Sequence, residues 1–252
     1  MKNNLPKISL ITVCYNAKEY IEETILSVIE QNYSNLEYII IDGNSNDGTK
    51  DILNKYKDYF SYFVSEEDNG ITHALIKGFN FVSGEILSWL NADDKLMPNA
   101  LNYVANFYMK KKFDLLYGDA YYINSKNEII YRFKSLYTNL FLYKRDIVIF
   151  CQPAVFFSKE IFFYVGGLNP LYTITMDGDL FTRILSNSNK VYRTNQVLAM
   201  FRIHDKQSTS WAIKNRYYFE LKLRKSNVKK TKTFFRILFR LFFFILRLLK
   251  LK

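Results

Sequence analysis

The first half of the chain alternates between short apolar runs and amphipathic stretches. Residues 8–15, ISLITVCY, are typical of a strand that is buried on both faces. Asn16 and Glu19 then have the spacing of a capping box, which predicts that a helix starts at Asn16. The apolar stripe of that helix consists of Ile21, Ile25, Val28 and Ile29.

The same alternation continues through the rest of this half. Strands are predicted at residues 37–41, 59–65, 86–90 and 113–117, and helices at 53–56, at 71–82 and after Pro98. Strands that alternate with helices in this way predict an α/β fold with a mostly parallel, right-handed sheet.

The second half has a less regular pattern. A hairpin is predicted around residues 125–127, and a strand at 150–157 leads to a short helix that Gly166-Gly167 ends. A helix at 177–185 and a strand at 197–203 follow. No internal repeat is visible, and with 252 residues, 49% of them hydrophobic, the chain is long enough for one large domain with an appendage.

The charge is concentrated at the C-terminal end. Residues 211–252 hold 13 of the 35 Lys and Arg residues but one of the 24 acidic residues, so the net charge of +11 comes entirely from this tail. Arg236, Arg240 and Arg247 recur at helical spacing opposite Phe and Leu, and the longest uncharged run, residues 241–246, is far too short to span a bilayer. The pattern predicts a basic amphipathic helix that lies on an anionic membrane, with packing against the body or a partner as the alternative.

Two further observations bear on the compartment. Cys14 and Cys151 are the only cysteines, which favours a reducing environment with both as small core residues. No apolar segment precedes the first strand, so no signal peptide is expected.

Acidic residues follow three of the predicted strands: Asp42, the pair Asp93-Asp94, and Asp119. Ligands of open parallel sheets bind beyond the carboxyl ends of the strands, and converging carboxylates suit Mg²⁺ or Mn²⁺ with substrate phosphates completing the shell. Asx residues also make good turns, so Asp42 remains open between the two interpretations. A turn is favoured for Asp119, and a functional role for Asp93-Asp94. Because neither GxGxxG nor GxxxxGK[ST] occurs, handling of a diphosphate falls to the metal.

Several segments together resemble the family 2 glycosyltransferases. They are ISLITVCYNAKEYIEETILSVIEQNY, YIIIDGNSNDGT, SEEDNGITHALIKG and GEILSWLNADD, with CQPAVFFSKEIF, GGLN and MDGDLFTRI later in the chain. The resemblance covers about residues 7–210 and implies a single nucleotide-sugar-binding domain of the GT-A type, with inversion at the anomeric carbon.

The resemblance also implies roles for individual residues. The donor pocket would be formed by Tyr15, Asn16, Asp42, Lys77, Asn91, Ala92 and Asp93, with Asp42 accepting a hydrogen bond from the base. The Asn91-Ala92-Asp93 segment occupies the DxD position. Asp93 would be the main metal ligand, with Asp94 and His204 as further ligands. Asp177 matches the general base, and Asp179 would support it.

These expectations define a mechanism and its rivals. The metal, Mn²⁺ or Mg²⁺, would stabilise charge on the leaving diphosphate while Asp177 takes the proton of the acceptor hydroxyl. Many relatives have Asp at the position of His73 and Asn at that of Ile76, so a nucleotide-sugar binder without turnover is an alternative. A sugar nucleotidyltransferase is another, although such enzymes usually carry a Gly-rich loop after the first strand.

The expected organisation follows from the resemblance and the tail. Residues 1–210 would form the GT-A domain, with a nucleotide-binding half at about 1–119 and an acceptor half at about 120–210. Residues 222–252 would hold the enzyme on the cytoplasmic face of the cell membrane as a peripheral protein. The donor is expected to be a UDP-sugar, and the acceptor a lipid-linked saccharide on the way to a surface polysaccharide. A nucleic acid partner is not expected, because the body carries no basic surplus.

Overall fold

A computed structural model of the chain describes residues 5–137 and 150–205. Their nine strands are β1 (Ile8–Cys14), β2 (Leu36–Asp42), β3 (Tyr62–Ser65), β4 (Ile86–Asn91), β5 (Lys95–Leu96), β6 (Leu115–Ile123), β7 (Ile129–Phe133), β8 (Val155–Ser158) and β9 (Val191–Arg202). Their helices are α1 (Ile21–Ile29), α2 (Thr49–Lys55), α3 (Ile71–Phe79), α4 (Ala100–Lys111), α5 (Lys159–Tyr164) and α6 (Met176–Asn187). Short 3₁₀ turns lie at Lys57–Tyr59 and Gln152–Ala154.

All nine described strands belong to one sheet, in the order β3-β2-β1-β4-β8-β6-β9-β5, with β7 paired to β6. The strands β3, β2, β1 and β4 are parallel neighbours. Since β8 runs antiparallel to both β4 and β6, β6 and its parallel partner β9 point the same way as β1. The predicted mostly parallel α/β sheet is therefore confirmed, and the carboxyl ends of β1, β2, β4 and β9 meet at one edge.

Two hydrophobic layers cover the sheet, and each takes alternate residues of the strands. Ile8, Leu10 and Ile40 face α1, α2 and α4 in one layer. Ile11, Ile39 and Ile41 face α3, α5 and α6 in the other. Burial on both faces explains why the central strands are continuous apolar runs rather than alternating ones.

Several local predictions are confirmed and others are wrong. The hairpin is formed by β6 and β7, and α5 ends before Gly166 and Gly167, whose φ angles are +84° and +65°. The predicted helix start at Asn16 is wrong, because α1 begins at Ile21. The strand before Asp119 does not end there either, since β6 continues to Ile123. Asp119 instead pairs with Arg132 at 2.8 Å inside the sheet, which agrees with a structural role.

The predicted tail at residues 211–252 lies outside the described residues. Within residues 5–137 and 150–205, none of the helices combines the length and hydropathy that a membrane crossing requires.

Candidate active site

The loops after β1 and β2 are tied to each other at the carboxyl edge of the sheet. The Asn16 amide donates to the Ser45 hydroxyl at 2.8 Å, and the Asn16 side-chain oxygen accepts from the Asn46 amide at 2.9 Å. Asn16 has a φ of +50°, and these long-range bonds replace the capping box that its spacing with Glu19 suggested. The arrangement leaves Tyr15 64% exposed beside the crevice, where a donor can reach it.

Asp42 ends β2 and is completely buried. Its carboxylate accepts hydrogen bonds from the Ser45 amide at 3.0 Å, from the Ser45 hydroxyl, and from the Ser65 hydroxyl at 2.6 Å. These bonds hold the loop between β2 and α2. The structure thus gives Asp42 a loop-forming role, and its bond to a nucleotide base stays a prediction.

The Asp-rich turn lies directly after β4 and brings Asp93 to His204. One carboxylate oxygen of Asp93 is 3.0 Å from Nε2 of His204, although 111 residues separate them. Strand β5, which follows the turn, pairs with β9, and this pairing places the end of β9 beside the turn. Two of the three residues that the sequence suggested as metal ligands, Asp93 and His204, therefore meet after β4.

Asp94 takes a different position from its neighbour. It is completely buried, and its carboxylate accepts from the Arg202 amide at 3.0 Å and from the Asn91 side-chain amide at 3.2 Å. Burial and the nearby charge of Asp93 raise the pKa of Asp94 well above its usual value. These bonds fix the turn, and the role of Asp94 as a metal ligand stays a prediction.

Neighbouring side chains support the backbone of this turn. The Thr24 hydroxyl of α1 lies 2.8 Å from the carbonyl oxygens of both Ala92 and Asp94. Gln152 donates to the Trp89 carbonyl at 2.9 Å, and its side-chain oxygen is 3.4 Å from the Asn91 amide nitrogen. Ala92 is itself buried, so it contributes to the site through its backbone.

Arg202 is the residue of this region that the sequence did not single out. It is completely buried, its Nε donates to the Asp93 carbonyl at 2.9 Å, and another guanidinium nitrogen lies 2.8 Å from the Glu23 carboxylate. Tyr20 packs on both Arg202 and His204. The sequence FRIH placed the arginine two residues before His204, but nothing local showed that its side chain would turn inward.

A cleft of about 310 Å³ opens beside His204. It is lined by Glu19, Tyr20, Asn124, Ser125, Ile203, His204 and Asp205.

Asp177 lies in the first turn of α6. One of its oxygens accepts from the Gly178 amide at 2.7 Å, and the residue is half-buried. The pKa of the Cys151 thiol is raised, chiefly by burial and also by the negative charges of Asp94 and Asp177.

Two other predicted site residues are held by ion pairs. Asp179 accepts from two guanidinium nitrogens of Arg183, at 2.9 Å and 2.7 Å, and Arg183 also bonds the Val165 carbonyl. This pairing fixes α6 to the segment after α5, so a structural role accounts for Asp179 as placed. Lys77, on α3, lies 2.6 Å from Glu66.

The two departures from the family pattern both lie on α3. His73 is exposed and its Nδ1 is 3.4 Å from the Asn69 amide, while Ile76 packs partly buried against the apolar layer. Neither residue contacts Asp93 or His204 in the described structure. The changes at these positions therefore leave the Asp93–His204 pair intact.

A divalent metal fits the pair. Among the described residues no group of three His, Cys, Asp or Glu side chains forms a ready metal cage. Asp93 and His204 nevertheless offer one carboxylate oxygen and one imidazole nitrogen at a single point, and the Asn91 side-chain oxygen nearby is buried without a partner among those residues. Mn²⁺ and Mg²⁺ are commonly bound by few protein groups and by substrate phosphates.

Several solved structures have the same fold as this chain. The crystal structure of a fragment of S. aureus TarS in complex with UDP-GlcNAc matches with a TM-score of 0.69 at 17% identity, over 81% of this chain and 61% of that chain. A mannosyltransferase from Pyrobaculum calidifontis, solved with GDP-Man and Mn²⁺, matches with a TM-score of 0.67 at 19% identity, over 91% of this chain and 66% of that chain. The fold is thus that of the GT-A glycosyltransferases.

Sequence comparison makes the assignment narrower. A profile described as Glycosyl transferase family 2 matches residues 9–165, more than half of the chain. An uncharacterized glycosyltransferase of Rickettsia typhi is 31% identical over 228 residues, which cover 84% of this chain and 70% of that protein. The putative teichuronic acid biosynthesis glycosyltransferase TuaG of Bacillus subtilis is 36% identical over 114 residues, 44% of this chain and 45% of that protein. The chain belongs to glycosyl transferase family 2, and the sequence-based resemblance is confirmed.

Proposed function

We propose that this family 2 glycosyltransferase transfers a sugar from a nucleotide-sugar donor, with a UDP-sugar as the first candidate, to a saccharide acceptor in the synthesis of a cell-surface polysaccharide. The observation that carries the proposal is the 3.0 Å contact between Asp93 and His204 at the crevice. The donor class is supported by the similar structures that hold UDP-GlcNAc and GDP-Man. The product class is supported by the relative named for teichuronic acid biosynthesis.

Donor binding begins at the loops that the structure ties together. Tyr15 offers an exposed ring next to Gly43, where the absence of a side chain lets Tyr15 and Asp68 pack against the backbone. A Cβ at Gly43 would lie 2.9 Å from an Asp68 oxygen and 3.3 Å from the Tyr15 ring. The backbone at Gly43 thus packs closely against both residues, and we place the nucleoside on the exposed Tyr15 ring, with its diphosphate directed towards Asp93.

Asp93 and His204 would hold the cation, Mn²⁺ or Mg²⁺, which supplies positive charge beside the leaving diphosphate. Lys77 adds a positive charge on the donor side once a phosphate competes with Glu66 for its ammonium group. The charge that develops as the bond to the sugar breaks is then stabilised by fixed groups rather than by reorganised water.

Asp177 accepts the proton of the acceptor hydroxyl as that oxygen attacks the anomeric carbon. The attack comes from the face opposite the diphosphate, so the electron pair of the broken bond leaves with the diphosphate and the configuration inverts. A positioned base of this kind contributes about 10²–10⁴-fold in rate. Asp177 lies in the first turn of α6 and is half-buried.

A donor panel tests this proposal. Purified full-length protein would be measured for binding and hydrolysis of UDP-, GDP- and dTDP-sugars with Mn²⁺, Mg²⁺ or EDTA. We expect one donor to bind with metal, Asp93→Ala to abolish that binding, and Asp177→Ala to bind without turnover. The matched control is Asp119→Asn. It also removes a carboxylate from the sheet, but one that is paired with Arg132 rather than with a site residue.

Three outcomes would count against the proposal or a part of it. If no nucleotide sugar bound under any metal condition, the transferase activity of this chain would be refuted. If donor bound and Asp177→Ala turned over at the wild-type rate, the donor site would stand and the base would be elsewhere. Binding by wild-type protein without any turnover would favour the alternative of a nucleotide-sugar binder. The family assignment leaves the nucleotidyltransferase alternative without support.

We also propose that residues 222–252 attach the protein to the cytoplasmic face of the cell membrane, where a lipid-linked acceptor would be presented. The support is the basic and apolar composition of that segment, which lies outside the described residues. Full-length protein should sediment with vesicles that contain anionic lipid and not with neutral ones. A triple change of Arg236, Arg240 and Arg247 to Glu should release it, and efficient competition by RNA would contradict the lipid assignment.

A further inference from the structure

The guanidinium group of Arg202 is completely buried and has partners on all sides. It donates to the carbonyl oxygens of Asp93 at 2.9 Å and of Asn124 at 3.2 Å. It also donates to the side-chain oxygens of Glu23 at 2.8 Å and Asn127 at 3.0 Å. A buried charge is tolerated only with such complete pairing, so these contacts are mutually dependent.

These partners come from three segments that are far apart in the sequence. Asp93 belongs to the turn after β4, Asn124 and Asn127 to the turn between β6 and β7, and Glu23 to α1. The backbone amide of Arg202 adds a fifth contact, to the Asp94 carboxylate at 3.0 Å. Arg202 therefore holds the Asp-rich turn by both its side chain and its main chain.

The same arginine is linked to His204 through an aromatic ring. The guanidinium carbon of Arg202 lies 4.5 Å from the centre of the Tyr20 ring, and the His204 ring centre lies 4.8 Å from it. Tyr20 is 7% exposed, which gives this contact a low-dielectric setting.

His204 lacks the support that metal-binding histidines usually have. Such histidines almost always donate their second ring nitrogen to a carboxylate or carbonyl, and this bond orients the ring. Nδ1 of His204 is buried, and none of the described residues offers it a hydrogen-bond partner. Among the described residues, the ring is held by Asp93 at Nε2 and by Tyr20, which packs on its face and is itself held against Arg202.

We propose that Arg202 is a positioning residue that sets the geometry of Asp93 and His204 for binding the cation, directly through the Asp93 carbonyl and indirectly through Tyr20. The inference rests on the proposed metal-dependent function, but its geometric part can be tested without metal. Lysine cannot replace this arginine, because a single ammonium group has three donors in place of the five of the planar fork.

The first test is nuclear magnetic resonance of the imidazole nitrogens in full-length protein without metal. The chain has only two histidines, His73 and His204, so changing either one assigns the other. We expect Arg202→Lys to shift the His204 signals and leave those of His73 in place. Arg193→Lys is the matched control, because Arg193 lies on the same strand and its side chain is 15% exposed. Arg193 stacks on Tyr137 at 5.0 Å rather than on Tyr20.

The second test is a Mn²⁺ titration with UDP, followed by the electron paramagnetic resonance of free Mn²⁺. Changes to groups that orient metal ligands typically weaken metal affinity 10- to 100-fold. We expect a loss in that range for Arg202→Lys and less than twofold for Arg193→Lys. Should Arg202→Lys fail to fold, Tyr20→Leu replaces it, with Tyr20→Phe as the control that keeps the ring; near-ultraviolet circular dichroism verifies folding.

The outcomes separate this inference from the proposed function. Wild-type protein that binds no Mn²⁺ would refute the metal-dependent function, while a His204 signal that still responds to Arg202→Lys would keep the geometric link. If Arg202→Lys and Tyr20→Leu leave the His204 signals and the Mn²⁺ affinity as in wild type, the positioning role is refuted. A loss of thermal stability alone, equal in Arg202→Lys and Arg193→Lys, would also refute it.

Discussion

Glu37 offers a quantitative test of the packing at the edge of the sheet opposite the crevice. It lies near the start of β2, and its carboxylate accepts from the Ser83 hydroxyl at 2.5 Å and the Ser83 amide at 2.7 Å, with the Lys7 ammonium 3.1 Å away. Burial alone would raise the pKa of Glu37, but the hydrogen bonds from Ser83 and Ser9 and the contact with Lys7 outweigh it and lower the pKa to about 2.

This lowered pKa can be converted into a stability. A fall from 4.5 to about 2 corresponds to about 3 kcal/mol of preference for the ionised form in the folded protein. Because the folded-state pKa lies below the unfolded one, this contribution is complete above about pH 5 and is lost as the pH falls towards 2. We expect Glu37→Gln to lower the free energy of unfolding by about 2–3 kcal/mol at pH 7, and by much less at pH 3.

Urea denaturation of wild type and variant at pH 7, 5, 4 and 3 measures this difference. Glu85→Gln is the matched control, because Glu85 is 53% exposed and its nearest cation, Lys112, is 3.9 Å away. Such an exposed pair contributes at most about 1 kcal/mol. The reasoning would be refuted if Glu37→Gln lowered the free energy of unfolding equally at pH 7 and pH 3. It would also be refuted by a loss at pH 7 below about 0.5 kcal/mol, which is typical of an ordinary surface change.

Three further predictions concern packing, the base and the metal. In Gly78→Ala, the new Cβ would lie 2.8 Å from a methyl carbon of Ile11, so we expect a loss of about 1–3 kcal/mol in urea denaturation, and an unchanged midpoint would contradict this packing. Asp179→Asn breaks the ion pair with Arg183 and should lower the melting temperature. Asp177→Asn should instead lower kcat by about 10²-fold or more at similar stability. If Asp179→Asn lowered kcat and Asp177→Asn lowered the melting temperature, Asp179 would be the base and Asp177 the structural residue. Chelation by EDTA should abolish donor binding in wild type, with full recovery on adding Mn²⁺, and donor binding that survives EDTA would show that the diphosphate is held without a metal.

The main strands could be predicted from the sequence because their signal is local. Residues of β1, β2 and β4 are buried on both faces, and this produces the uninterrupted apolar runs. The end of β6 gave no such signal. Asp119 reads as a turn residue, yet in the structure its charge is compensated by Arg132 and Arg193, which are distant in sequence, and the strand continues through it.

The candidate site divides in the same way. Asp93 and His204 were suggested by the resemblance, and the structure brings them together. The inward positions of Asp42 and Asp94 could not be predicted, because each depends on hydrogen bonds from other segments of the fold. The role of Arg202 depends on three such segments at once, so no spacing in the sequence could have shown it.

The pairing of β5 with β9 has a consequence for the order in which the molecule becomes functional. The parallel strands β1 to β4 are complete by residue 91, yet Asp93 acquires its histidine partner only when β9 has been added to the sheet. During synthesis the first half of the chain can collapse around its own apolar layers long before residue 204 leaves the ribosome. The nascent half would therefore carry Asp93 without His204. The ability to bind donor would arise late, when these two residues, 111 positions apart in the sequence, come into contact.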